Sequence, residues 1–231
     1  MYTEPWNFKM PDEFSVPELQ QQAEIWTPRK PLAIVPSRLI DASAPVYGYG
    51  KVEAGDNDLL SQHDGVPMGE QIIVHGRVTD SWGRPVRDML IEMWQANAAG
   101  KYVHDHDRTP KPLDPNFTGA GRTLTDANGA YSFKTIKPGA YPWASHREAW
   151  RAQHLHLSLS GGGLTERHVT QMLFPGDPLI GRDPVVSTIP DEKARERLIS
   201  RLDWEAAIPE IALAYRFDIV LGGMHATPAE H

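Results

Sequence analysis

Residues 153–160, QHLHLSLS, alternate without a break: Leu155, Leu157 and Leu159 fall on one parity, and His154, His156, Ser158 and Ser160 on the other. Successive side chains of a strand point to opposite faces, whereas a helix would scatter these leucines around its circumference. The segment therefore reads as a strand with an apolar layer beneath its leucine face. Other segments supply the rest of a sheet. QIIVHGRVT places Ile72, Val74 and Val78 on one face, with His75, Arg77 and Thr79 on the other. DMLIEMWQ alternates Met89, Ile91 and Met93, and TDANGAYSFK reads as a turn at Asn128-Gly129 leading into another strand. HVTQMLF and LAYRFDIVL (213–221) complete the set. Twenty prolines and 19 glycines, about one residue in six, favour turns between short strands over long helices. The expectation is an all-β chain: a β-sandwich over residues 66–231, a few short helices, and an extended N-terminal arm over residues 1–65. Within the arm only VPELQQQAEIW (16–26) has a helical pattern; an exposed helix with an acidic start is expected at DEKARERLISRL (191–202).

A chain of 231 residues buries enough apolar surface to need no covalent staple. Its net charge of -7 repels phosphate backbones, so nucleic acid is not an expected partner. The opening MYTEPWNFKMPDEF is polar and broken by prolines, and no stretch reaches membrane-spanning length; no membrane association and a cytoplasmic location are expected. Cysteine is absent. That excludes disulfides, thiolate nucleophiles, cysteine zinc sites, iron–sulfur clusters and blue-copper sites. Any metal must be held by nitrogen and oxygen, from ten His, the carboxylates and seven Tyr. There is no Walker A loop, HExxH or GxSxG, and Tyr47-Gly48-Tyr49-Gly50 and Gly119-Ala120-Gly121 are incomplete glycine patterns that read as loops.

His154 and His156 stand two apart in a strand, so both imidazoles leave the same face and can grip one metal. An alternating strand can equally show such residues to water with no ligand role. His104-Asp105-His106-Asp107 offers more donors, but between Gly100 and Pro110 it reads as a hydrated loop without a rigid frame. Tyr141 sits in KPGAYPW, a tight corner before the His strand, and Tyr102 follows the Trp94 strand. Either tyrosine alone reads as a packed aromatic. Two phenolates and two imidazoles together suit a hard, highly charged ion. Ferric iron fits, because two phenolates and one hydroxide neutralise its charge, whereas magnesium would keep waters and Cu(I) prefers softer donors. A phenol titrates near 10, so only a strong Lewis acid holds two of them ionised at neutral pH.

PMGEQIIVHGRVTD, IEMWQANAAGKY, LDPNFTGAGRTLTDANGAYSFKTIKPGAYPW, WRAQHLHLSLS, TQMLFPGDPLI and LAYRFDIVL together resemble the intradiol ring-cleavage dioxygenases, over most of 66–222 and more loosely in the arm. The resemblance implies a prealbumin-like β-sandwich and one mononuclear non-haem Fe(III). Carried over residue by residue, Tyr102 and His154 are equatorial ligands, Tyr141 and His156 axial, and solvent hydroxide takes the fifth position. Arg151 and Gln171 match residues beside the substrate; Trp94 and Trp143 match aromatics flanking the pocket. Tyr141, Arg151 and Gln171 form the implied catalytic set, although a surface arginine beside a strand is the plain alternative for Arg151.

The implied reaction is activation of a catechol dianion, with Tyr141 and hydroxide leaving the iron to take its protons and dioxygen attacking the ring. The implied substrate is protocatechuate, opened between its hydroxylated carbons to 3-carboxy-cis,cis-muconate in aromatic catabolism by the β-ketoadipate route. Catechol and hydroxyquinol are alternatives within the class, and a non-catalytic transthyretin-like binding module is the alternative outside it. The resemblance is to iron-bearing β chains, so a homologous α chain is the expected partner. Iron-free α chains lack the full ligand set, which is complete here. The chain is also too short for the helical N-terminal domain of the catechol enzymes. Three departures bear on substrate preference while leaving the ligands in place. The family's WRPAHIH has Ala152 and Gln153 at its third and fourth positions, PGPYPW is PGAYPW, and Ala144 stands where a charged residue is common.

Overall fold

The computed structural model describes residues 52–103, 107, 109–143, 149–161, 164 and 167–229. The helical pattern at 16–26, the 47–50 glycine pattern, His104 to His106 and Ala144 lie outside the described residues. In chain order the strands are β1 (Gln71–Asp80), β2 (Met89–Trp94), β3 (Ala120–Leu124), β4 (Ala130–Ile136), β5 (Tyr141–Pro142), β6 (Trp150–Arg151), β7 (His154–Gly161), β8 (His168–Leu173), β9 (Arg201–Leu202), β10 (Leu213–Arg216) and β11 (Ile219–Leu221). Among the described residues one short α-helix, α1 (Glu192–Glu196), accompanies them.

Two sheets face each other. In the first, β1 pairs antiparallel with β4 along one edge and parallel with β10 and then β11 along the other, and β9 lies beyond β10. The second runs β3-β2-β7-β8, all antiparallel, with Trp94 opposite His156 and His156 opposite Gln171. Ile72, Val74 and Val78 from one sheet meet Met89, Ile91, Met93, Leu155, Leu157 and Leu159 from the other, all fully buried. Each such side chain contributes about 1.5–3 kcal/mol by leaving water. Leu59, from a position before residue 66, is buried in the same core. The architecture is the expected all-β sandwich.

Glycines set two of its bends. At Asn128-Gly129 the chain turns with Gly129 at φ 71°, and a Cβ there would stand 2.4 Å from the Val78 carbonyl oxygen. The turn carries the chain from β3 in one sheet to β4 in the other. The 213–221 segment is two strands, because the chain jogs at Phe217: its N–H donates to the His75 carbonyl at 2.8 Å, and its carbonyl accepts the Tyr131 hydroxyl at 2.6 Å. A Cβ on Gly76 would sit 1.9 Å from that Phe217 oxygen, so only glycine leaves room for the jog.

The expected exposed helix over 191–202 is shorter; it keeps its acidic start and a mostly exposed surface, burying Ala194. Asp191 caps α1 by accepting the Lys193 N–H at 3.0 Å, but the helix stops at Glu196. Beyond it the Leu198 carbonyl accepts from Leu173 N–H and Ser200 N–H donates back to the Leu173 carbonyl, so the chain extends alongside the end of β8. Ala194 and Leu198 enter a second cluster with Trp143, Ala152, Val185, Val186 and Ile189. Long-range pairing outweighs helix propensity here. Among the described residues no helix is long and apolar enough to cross a membrane.

Candidate metal centre

β7 sends its leucines into the core and aims His154 and His156 out of the opposite face, where they are only 2% and 1% exposed. The polar face of this strand is therefore covered, not wet. The two Nε2 atoms stand 3.2 Å apart, with the rings at 79°. The Nδ1 of His154 lies 2.6 Å from the Ala152 carbonyl, an obligate acceptor, so Nδ1 carries the proton and Nε2 keeps its lone pair. Burial, then the neighbouring Arg151 and His156, push the His154 pKa well below the usual histidine range, so the ring is a neutral donor.

Tyr141, in the short ladder that β5 makes with β6, brings its hydroxyl to 3.3 Å from His154 Nε2. Tyr102 arrives from the loop after β2, its ring 5.5 Å from that of Tyr141 and 6.3 Å from that of His156. Trp94 stacks flat on His156 at 4.9 Å with an interplanar angle of 1°. All four residues nominated as ligands thus converge. One cation about 2.1 Å from each imidazole nitrogen would subtend about 100° across the 3.2 Å gap, an ordinary ligand angle. Among the described residues no three His, Asp or Glu gather to hold a metal. A metal here needs the phenols, and that donor set suits a ferric ion.

The loop carrying Tyr102 is braced from within. Asp107 accepts the Tyr102 N–H at 2.9 Å, the Thr109 N–H and hydroxyl at 2.9 and 2.6 Å, and the buried Lys101 ammonium at 3.2 Å. Burial opposes ionisation of Asp107, but hydrogen bonds from Thr109, Tyr102 and Lys101 outweigh it and hold the carboxyl below its ordinary range. The last member of the His104-Asp105-His106-Asp107 run is therefore a brace for a neighbouring tyrosine.

Arg151 is 3% exposed, which rules out the surface reading. Its Nη2 donates to Gln171 Oε1 at 2.5 Å, its Nε donates to Asp183 at 3.1 Å, and its guanidinium lies 5.2 Å over the Trp143 ring. Sequence reasoning missed the acidic partners. Asp183 is fully buried and also accepts the Ala152 N–H at 2.8 Å; Asp177 accepts the Gln153 N–H at 2.8 Å. Both precede proline in FPGDPLIGRDP, and that repeated Asp-Pro step, a turn signal, could have flagged them. The two departures at the start of the ligand strand have uses. Ala152 supplies an N–H that proline lacks, and the Gln153 amide donates to the Pro138 carbonyl at 2.9 Å.

Two matches show that the chain carrying this site belongs to the intradiol dioxygenase family. A family model described as Dioxygenase matches residues 42–223. The chain is 53% identical over 205 residues to the protocatechuate 3,4-dioxygenase beta chain of Burkholderia cepacia, covering 88% of this chain and 87% of that one. It is 32% identical over 157 residues to the protocatechuate 3,4-dioxygenase alpha chain of Pseudomonas putida, covering 67% and 73%. Among solved structures, 3-chlorocatechol 1,2-dioxygenase from Rhodococcus opacus 1CP aligns with a TM-score of 0.57 at 27% identity, over 75% of this chain and 67% of that one.

Proposed function

We propose that this chain is the iron-bearing subunit of a protocatechuate 3,4-dioxygenase, with Tyr102, Tyr141, His154 and His156 holding one Fe(III). The observation that carries the reading is the convergence of two imidazole Nε2 atoms 3.2 Å apart with one phenol 3.3 Å away and a second alongside. Ferric iron held there by Tyr102, Tyr141, His154 and His156 would supply Lewis acidity that activates a catechol toward dioxygen without an external reductant.

The protein's own groups do the rest. Tyr141 Oη, beside His154, would be held as a phenolate by the metal and would take up a proton from the incoming catechol on becoming a neutral phenol. Arg151 stays charged at any working pH and presents a fixed positive charge toward the negative charge that builds on the substrate. Gln171 holds one edge of that guanidinium. Trp94 and Trp143 wall the site and exclude water, Trp94 by covering one face of His156. The catalytic sandwich of 66–231 is entered from an N-terminal arm whose end reaches into it, with Leu59 in its core and the Leu59 N–H donating to the Lys134 carbonyl. A homologous α chain completes the assembly, as the named alpha and beta relatives suggest.

The test is metal analysis and a visible spectrum of the purified protein, then steady-state rates with protocatechuate, catechol and hydroxyquinol, alone and with an α chain co-expressed. One iron per chain, a tyrosinate charge-transfer band and a preference for protocatechuate are expected. Zinc or no metal, with no band after reconstitution by iron, rejects the site. A clear preference for a catechol without a carboxylate rejects the substrate, and full activity from the chain alone rejects the α partner.

A further inference from the structure

Between β8 and α1 the chain has no regular structure beyond 3-10 turns at Ile180–Arg182 and Val186–Thr188, yet it contains a carboxylate with no solvent exposure. We propose that Asp183 is a positioning residue for ring cleavage, one carboxylate that fixes Arg151 and, by holding the backbone at Ala152, helps to orient the ring of His154. The inference rests on the reading of His154 as a ligand and of Arg151 as the charge beside the substrate.

Asp183 Oδ1 accepts the N–H groups of Val185 and Val186 at 2.9 and 3.1 Å, and Oδ2 accepts that of Ala152 at 2.8 Å. Arg151 Nε lies 3.2 and 3.1 Å from the two oxygens. The carboxylate cannot turn without breaking several bonds in a place where no water replaces them. Neither can the guanidinium. It is held at Nε by Asp183 and at Nη2 by Gln171, so the plane of the fork is set by two partners from different segments. The second arm runs through one residue. Ala152 donates its N–H to Asp183, and its carbonyl, in the next peptide, accepts from His154 Nδ1; the N–H of that next peptide, on Gln153, donates to Asp177 at 2.8 Å, so Asp183 fixes the near side of Ala152 and Asp177 the far side.

Asp183 also organises the turn at Val185, so a lower rate in a variant is not sufficient by itself. The test uses the iron-loaded assembly with a co-expressed α chain, in which this chain is wild type, Asp183→Asn, Arg151→Ala, Arg151→Lys or the double variant Arg151→Ala/Asp183→Asn. Iron content, the rate of iron extraction by a chelator, and kcat and KM for protocatechuate are measured. In Asp183→Asn, kcat falls about 100-fold, the scale of a lost preorganised charge, with KM within about threefold of wild type. Added to Arg151→Ala, the same substitution costs less than about threefold more, because both act through one guanidinium. Iron leaves Asp183→Asn several-fold faster than wild type. Arg151→Lys, which keeps the charge but not the fork, loses at least about tenfold in kcat.

A kcat for Asp183→Asn within about threefold of wild type, or losses that multiply in the double variant, overturns the Arg151 arm. An unchanged extraction rate overturns the His154 arm. If Asp183→Asn does not fold, a fully active Arg151→Lys still overturns the proposal, since charge alone then suffices, and an impaired one supports it. An inactive, iron-free wild type overturns the proposed function and this inference with it. An active wild type with an indifferent Asp183→Asn overturns this inference alone.

Discussion

Replacing Arg151 by alanine removes one partner of an ion pair that is 3% and 0% exposed, so the cost is undamped by solvent. Breaking a buried pair from one side costs about 3–5 kcal/mol. Asp183 keeps N–H donors from Ala152, Val185 and Val186, which places the expected loss near the lower end, about 3 kcal/mol. For a chain of this size each kcal/mol lowers the melting temperature by about 2–4 °C, so a drop of about 6–12 °C is expected. A total stability of about 5–15 kcal/mol leaves the variant folded at 25 °C. The kinetic loss is separate. A preorganised charge at a developing anion is worth about 10²–10³ in rate, some 3–4 kcal/mol. Arg151→Ala should therefore melt early, keep iron and its visible band, still change colour when substrate is added without oxygen, and lose nearly all turnover. Differential scanning calorimetry, iron analysis, anaerobic titration and stopped-flow absorbance separate these effects. A variant that turns over within about threefold of wild type, under 1 kcal/mol of barrier, refutes the catalytic assignment. An unchanged melting temperature refutes the value given to the buried pair.

Gly76→Ala drives a Cβ to within 1.9 Å of the Phe217 carbonyl oxygen and disturbs the 2.6 Å bond from Tyr131, so a loss of about 2–4 kcal/mol is expected in urea unfolding. Trp94→Leu removes the ring stacked on His156, worth about 0.5–1.5 kcal/mol, and should weaken iron retention about 2–12-fold in a chelator competition. Because the Asp107 carboxyl is held below its ordinary range in the fold, its contribution is complete above the unfolded value near 3.9 and is lost as pH falls through the depressed folded value. Asp107→Asn should flatten the stability–pH curve in that acid range; a curve parallel to wild type would contradict the role given to Asp107.

The parts legible in the chain are those written in a local period. The leucines of β7 and the Met89, Ile91, Met93 set declare their faces through their immediate neighbours, and both faces lie where the alternation put them. The same strand left one count open. Polarity alone reads the His154 face as wet, but what covers it comes from distant segments carrying Tyr102, Tyr141 and Trp94. The jog at Phe217 depends on a glycine 141 positions earlier across a parallel ladder, which no window of sequence contains. Helix α1 stops where its propensity would continue because Leu173 claims the Leu198 carbonyl. Asp183 is a single acidic residue in an aperiodic loop, and its importance exists only once Arg151 and Ala152 are folded against it.

The histidines and the core leucines occupy alternate positions of one eight-residue strand, and this makes the strand's reading frame an all-or-nothing quantity. A substitution at His154, His156 or Ser158 edits the chemical side while the packing side stays in place, so a new pocket can be explored one residue at a time. An insertion or deletion of a single residue before His154 has no such gentle version. It would turn imidazoles into the core and leucines toward the Tyr102 and Tyr141 phenols, ending fold and chemistry in one event. Length variation among chains built on this plan should consequently gather in the connections between strands, while β7 drifts in composition and keeps its count.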